Sequence, residues 1–568
     1  MADPEAVIAD PSLSGHAAVS LPSAKEKKYD RQLRLWGSSG QEALENAHIA
    51  LINVSAVGTE TLKNLVLPGI GHFTVIDSGR VEEADLGVNF FVTADSVGRS
   101  RAEAVSELLG ELNPDSEGTY INAAPSDLLE SSPETFSKFT HFLISSPVST
   151  SFLFNLQSRF PNTPLFFLYS LGFVSSLRIS VPELTVVETH PESTVDLRLL
   201  NPWPELSQLM EERTKGLDTM SEKEHGHVPY VLLLLYYLKE WKTQYGTYPS
   251  NYKEKSAFKD LLRNGMRTDV AGGSEENFDE AYAAVMNHVK KTEISSSLKE
   301  IFKDQKCEQL GAESSDFWII ARAVRDFYNE NSELPMSGTL PDMKAESKDY
   351  ITLQKTYRRK AQEDLDKVEA SVQKHLASVG RDASAIPRST IETFTKHTNY
   401  VKLIRFRTLE QEYKVDDTHA ATVKRQIAFD EGMDESLIYL TIALKGYQKF
   451  IDDRLASSST SLHPGETDES IEADTEDVLK NAKHYLALLA QKTGETRDPT
   501  AEEVVPQLVV DWVGEIVRSG GGELHNISSM MGGIAAQEII KIITHQYIPS
   551  NNTILVDGIK SKTAVFEL

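Results

Sequence analysis

The chain has 568 residues, 40% of them apolar and 25% charged, the balance of a folded, water-soluble protein. Its net charge of −26 opposes nucleic acid and anionic membrane, which both demand a positive face, and suits a basic protein partner or plain solubility. A single cysteine, Cys307, excludes a disulfide framework and a cysteine-cluster metal site, and indicates a reducing compartment: the cytoplasm, with nuclear entry left open.

Residues 1–24 lack a basic start followed by an apolar core and read as a disordered tail rather than a signal peptide. No stretch reaches the roughly 18 apolar residues of a spanning helix, and VPYVLLLLYYL (228–238) fits a buried helix. HIALINV (48–54) reads as a buried strand and residues 58–67 as a helix, with Leu62, Leu65 and Val66 on one face and Pro68-Gly69 ending it. A strand at 72–77, a helix at 97–112, a strand at 140–146, a helix near 150–159 and two strands around Gly172 follow. This alternation predicts an α/β fold with a doubly wound, mostly parallel sheet over residues 25–200. From 201 to 515 the period is helical, as in ENFDEAYAAVMNHVKK (276–291) and SDFWIIARAVRDFYNE (315–330), which predicts a large helical insertion. Inside it, the Ser- and acid-rich stretch 455–477 reads as a mobile insert. Residues 516–568 return to the first style, with a Gly-rich loop leading into an apolar helix and two closing strands.

The turn after the first strand has the outline of a nucleotide-binding corner, in which G-x-G-x-x-G glycines allow the turn, the approach of phosphate and the packing of helix on strand. Here Asn53 and Ser55 stand at the first two positions, and only the packing glycine, Gly58, remains. Asp77, 24 residues after Asn53, stands where a ribose-binding acid often lies. The corner thus keeps the fold requirement and drops the ligand requirement. A bare strand-to-helix corner of any α/β protein would read the same way.

YDRQLRLWGSSGQEAL (29–44), with ETLKNLVLPGIGHFTVID (60–77) after it, closely resembles the activating enzymes of ubiquitin and ubiquitin-like proteins. That resemblance implies a pair of adenylation-type domains, one active and one inactive, in one chain or two. The active half uses ATP to adenylate a modifier and then captures it on a cysteine. Against that active half, this chain departs at Asn53, at Ser55, at Gly79 (where a second acid holds the ribose) and at Val88 (where an arginine meets phosphate). A lysine is replaced by Arg101, and no magnesium-holding acid appears in Ser145-Ser146-Pro147-Val148. Cys307, in KDQKCEQLG, lacks the family's following Thr, and Glu308 beside it would raise its pKa, so it does not read as catalytic. One functional group survives. In paired members, the arginine matching Arg31 reaches from the inactive half to ATP phosphates in the partner's site, whereas a purely local role would have it bridge nearby as Arg34 does.

DLRLLNPWPEL (196–206), YKEKSAFKDLLRNG (252–265), LPMSGTLPDM (334–343) and GGGELHNISSMMGGIAAQEIIKIITHQY (520–547) are similar to the regulatory subunits of heterodimeric enzymes that activate the cullin-modifying ubiquitin-like protein. The resemblance implies an obligate heterodimer with a catalytic subunit that carries ATP, Mg and the catalytic cysteine, and it implies no nucleotide or metal bound by this chain alone. The implied contact surface draws on residues 61–86 and 334–345, with Leu65, Leu67, Pro68, Ile70, Pro341 and Met343 as candidates against the alternative that each belongs to a domain core. A SUMO-type small subunit and a scaffold without a role in chemistry are the rival readings. A standalone nucleotide-dependent oxidoreductase would need the intact Gly-rich loop.

Overall fold

The computed structural model describes residues 23–190, 195–270, 273–429, 436–459, 461–494 and 505–568. The tail read over residues 1–24 thus lies, up to residue 22, outside the described residues. The chain divides into two compact units.

The first unit comprises Met1–Pro182, Arg405–Thr544 and Pro549–Leu568. Its strands are β1 (His48–Ile52), β2 (His72–Ile76), β3 (Glu117–Ile121), β4 (His141–Ser145), β5 (Leu165–Leu171) and β6 (Val174–Ser180). The second unit holds β7 (Leu184–Val186) and β8 (Lys402–Ile404), and the closing strands β9 (Thr553–Asp557) and β10 (Lys562–Phe566) return to the first. The main sheet has the order β10-β9-β6-β5-β4-β1-β2-β3. From β3 to β5 every pairing is parallel, while β5-β6, β6-β9 and β9-β10 are antiparallel. The expected mostly parallel sheet is therefore present. Its central strands are continuous apolar runs because helices cover both faces; Ile49–Ile52 are all buried. The edge strand β3, EGTYI, gave no such signal, since four of its five residues are exposed.

The helix Ala56–Val66 follows β1, and its seating sets the architecture. On the sheet side, a Cβ on Gly58 would stand 2.6 Å from Ser145 Oγ and 2.8 Å from Leu51 Cδ1. On the other side it meets the helix His525–Thr544, where a Cβ on Gly532 would stand 2.8 Å from Glu60 Cβ and 2.9 Å from Thr61 N. Only glycine allows these approaches. They join the start of the chain to its end.

The helical region does not form the single insertion expected over 201–515. Residues 405–518 pack with the sheet, and the second unit is Glu183–Ile404 with His545–Ile548. Helical period shows that a segment buries one face but not which core receives it. Here a buried ion cluster makes part of the assignment: Arg178 of β6 pairs with Glu412, which also pairs with Lys445 of the helix Ile438–Ala456. Where composition predicts a mobile insert at 455–477, the described residues form a helix end, a turn and the start of the helix Ile471–Lys492. The Tyr447 hydroxyl and His463 Nδ1 lie 2.8 Å apart, and Asp474 accepts from Gly465 N at 2.9 Å and from Arg454 Nη2 at 2.9 Å.

The second unit is helical, with two apolar clusters. One surrounds the helix Tyr230–Tyr245, which contains the predicted run 228–238 in most of its length. The other holds Ile301, Trp318, Val324 and Cys307. The helix Ser347–Ser378 serves both: Leu353 and Tyr357 enter the first cluster, and Leu365, Val368, Val372 and Leu376 the second, at the three-and-four spacing of one helical face.

In the first unit His419 is fully buried, with Nε2 2.7 Å from the Tyr485 hydroxyl. Burial, opposed by the Glu412 carboxylate and reinforced by Lys445, Arg407 and Arg178, lowers its pKa from 6.5 to about 4. The unfolded chain therefore takes up this proton first as pH falls. Its effect on stability is absent above about 6.5 and grows as a loss down to about 4. Urea unfolding at pH 7 and pH 4.5 should show wild type losing about 2–3 kcal/mol more than His419→Gln over that interval. Equal losses would mean that His419 protonates freely in the folded state.

Candidate functional site

Where β1 runs into the helix Ala56–Val66, nearly every backbone donor of the turn finds an acceptor in the chain itself. Asn53 adopts φ 60°, a left-handed conformation that asparagine tolerates better than most residues. Its amide donates to Pro147 O at 2.6 Å and Ser145 O at 3.3 Å, bracing the segment after β4. Ser55 caps the helix, accepting from Gly58 N at 3.0 Å. The two remaining first-turn donors, Ala56 N and Val57 N, point at Glu523, which accepts on Oε2 at 2.5 Å and on Oε1 at 3.0 Å. Ser528 Oγ donates to the same carboxylate at 3.0 Å. Burial pushes the Glu523 carboxyl above its ordinary range, while these three donors pull it down. A helix N-terminus favours an anion through its free N–H groups and its dipole, and here the chain supplies one.

Asp77, the candidate ribose acid, is likewise engaged. It accepts from Val54 N at 2.8 Å and Gly79 N at 2.6 Å, and it pairs with Arg101 at 3.2 Å. Arg101 also lies 3.6 Å from Asp85. A Cβ on Gly79 would stand 2.6 Å from Arg101 Nη2, so the missing second acid and the arginine belong to one arrangement. The structure brings Asn53, Ser55, Gly79, Val88 and Ser145–Val148 together around one cavity of about 610 Å³. Its charged lining is Asp77, Asp85 and Glu523 against Arg101. A triphosphate would meet three carboxylates and one guanidinium, with the helix donors already taken. A triphosphate does not fit this corner as built. Among the described residues, no group of His, Cys, Asp and Glu could hold a metal ion, and no helix is long and apolar enough to cross a membrane.

The other candidate residues lie elsewhere. Arg31 is exposed on the helix Asp30–Glu45 and, among the described residues, has no hydrogen-bond or ion-pair partner, whereas its neighbour Arg34 bridges to Asp30 at 3.1 Å. Leu65 and Ile70 have no exposed surface and belong to the core, which corrects their place among the interface candidates: the amphipathic helix turns Leu65 inward, and Ile70 follows the tight turn at Gly69. Leu67 is 49% exposed and Pro68 is partly exposed. Pro341 and Met343 are half-buried in the second unit, Met343 packing against the cluster around the helix Tyr230–Tyr245. Two exposed apolar residues went unnoticed in the sequence, Phe90 at 74% and Leu35 at 57%. Glu523 also went unnoticed as a functional residue. Its one local signal is the run of three glycines before it at the entrance to an apolar helix.

The ThiF family model matches residues 29–146. Over 552 residues the chain is 40% identical to the NEDD8-activating enzyme E1 regulatory subunit of Xenopus laevis, with 96% of this chain and 99% of that protein covered. The corresponding subunit of Danio rerio is 38% identical over 553 residues, at 96% and 99% coverage. NEDD8-activating enzyme E1 regulatory subunit AXL of Arabidopsis thaliana is 36% identical over 541 residues, at 94% and 98%. The chain belongs to this family of E1 regulatory subunits.

Membership accords with the state of Cys307. The thiol is buried within the second apolar cluster of its unit, and burial raises its pKa to about 11 against the opposing pull of Arg325 and Arg322. A nucleophile needs the thiolate and access to its target, and Cys307 has neither at neutral pH. Iodoacetamide at pH 8 should leave Cys307 unmodified in the folded chain and alkylate it fully in urea, as read by intact mass. Rapid alkylation of the folded chain would refute the buried, protonated state.

Proposed function

We propose that this chain is the regulatory subunit of a heterodimeric NEDD8-activating enzyme, in which a separate catalytic subunit binds ATP and Mg, adenylates the cullin modifier and carries the thioester cysteine. The observation that carries this reading is nearly full-length kinship with E1 regulatory subunits in a chain whose own helix donors are taken by Glu523. It favours a NEDD8-type enzyme over a SUMO-type one. Arg31, exposed and without a partner among the described residues, is free to serve as a phosphate contact in trans; a guanidinium fork matches phosphate oxygens and stabilises their charge during transfer. Leu67, Pro68, Leu35 and Phe90 supply apolar contact area from the first unit, and Pro341 and Met343 from the second.

Modifier-driven ATP–pyrophosphate exchange tests this reading. Exchange should appear when the chain and its catalytic subunit are mixed, and in neither alone. Arg31→Ala should slow exchange by at least about tenfold, with complex formation on a sizing column unchanged. Undiminished exchange would reduce the chain to a scaffold. Phe90→Asp, by contrast, should weaken pairing at least about tenfold while leaving the fold of the isolated chain intact by circular dichroism. Unchanged pairing would remove Phe90 from the interface.

A further inference from the structure

The missing glycines at Asn53 and Ser55 are not enough to close the corner to anions, because the helix Ala56–Val66 still aims two N–H groups outward. We propose that Glu523 is an intramolecular phosphate surrogate: its carboxylate fills the anion position of the corner and is the residue that excludes phosphate and nucleotide from it. This goes beyond the regulatory-subunit reading and does not depend on it.

Several independent observations support the assignment. One carboxylate takes both helix donors, Ala56 N at 2.5 Å and Val57 N at 3.0 Å, with Ser528 Oγ as a third donor at 3.0 Å. This is the set of contacts a phosphate oxygen pair receives at a helix start. Ser528 is itself fixed, its hydroxyl 3.0 Å from that of Ser170. The loop that carries Glu523 is built for its place. Gly172 N donates to Gly522 O at 2.9 Å, joining the loop to the turn between β5 and β6. Gly521 has φ +78° and lies so close to His463 that a Cβ would stand 2.2 Å from the ring, and a Cβ on Gly520 would stand 2.9 Å from Gly465 O. The turn at 463–465 thus backs the loop against the corner. Finally, Ser145 has no exposed surface, and its hydroxyl lines the same cavity with no hydrogen-bond partner among the described residues. It is a polar group of the old site that Glu523 does not satisfy.

The experiment uses the full chain as wild type, Glu523→Ala and Glu523→Gln, with calorimetric titration of inorganic phosphate and, separately, ATP. Hydrogen exchange is followed in the peptide spanning residues 54–60. Wild type should bind neither ligand. Glu523→Ala should bind inorganic phosphate, exchange about five- to tenfold faster at 56–57, and regain protection when phosphate is added. ATP binding by this variant in addition would show that the vacated position opens onto a nucleotide site, and phosphate binding alone that it is an isolated anion position. Glu523→Gln keeps the volume but not the charge; it should exchange faster than wild type and bind no phosphate. Phosphate binding by wild type, or a folded Glu523→Ala that binds none, would overturn the proposal. Should Glu523→Ala fail to fold, unchanged exchange in Glu523→Gln would overturn it and faster exchange would support it.

Discussion

The helix Ala56–Val66 is held between the sheet and the helix His525–Thr544 at distances that only Gly58 and Gly532 permit. Much of the first unit depends on this double seating. It draws the last fifty residues of the chain onto the first βα turn, although more than 460 residues separate the two in sequence. With them comes the Gly-rich loop, and at its end Glu523. A side chain at Gly532 would force the two helices apart.

The corner therefore differs from one that has merely lost its ligand contacts. A helix start left with unsatisfied N–H groups in a part-buried cavity carries a cost, since each buried donor without an acceptor loses its hydration. In a nucleotide enzyme the phosphate removes that cost on binding. Here Ser55 and Glu523 remove it permanently. The same logic holds at Asp77, whose carboxylate is taken by two backbone N–H groups and by Arg101, and at Gly79, whose lack of a side chain leaves room for that arginine. The departures at Asn53, Ser55 and Gly79 are each matched by a contact within the chain.

Charge is distributed to the same end. The chain as a whole is strongly acidic, and the cavity follows it, with three carboxylates around one guanidinium. Two buried basic groups of the first unit, Arg178 and Lys445, converge on Glu412 in the interior and tie the helices after residue 405 to β6. Breaking such a pair from one side strands a charge in a medium that solvates it poorly, a cost of about 3–5 kcal/mol. Arg31 is disposed in the opposite manner, exposed and without a partner among the described residues.

The sequence by itself determined the α/β class, the position of the first corner, and the loss of its turn and phosphate-approach glycines. Each of these rests on local pattern: apolar runs of strand length, turn residues, and the identity of a few side chains within a short window. It also carried the family resemblance in 29–77, which near-full-length identity to E1 regulatory subunits bears out. What it did not carry was anything that depends on which distant segments meet. The exposed edge strand β3 has no apolar run to announce it. The helices of 405–518 show the same period whichever core they face, and only packing assigns them to the sheet. Leu65, Ile70, Leu67 and Phe90 look alike as apolar letters, and the fold buries two and exposes two. Glu523 is one carboxylate among 84 acidic residues in the sequence. Only the tertiary structure places it on the helix start at Ala56, because that contact is made by the closure of the chain's two ends and by no local rule.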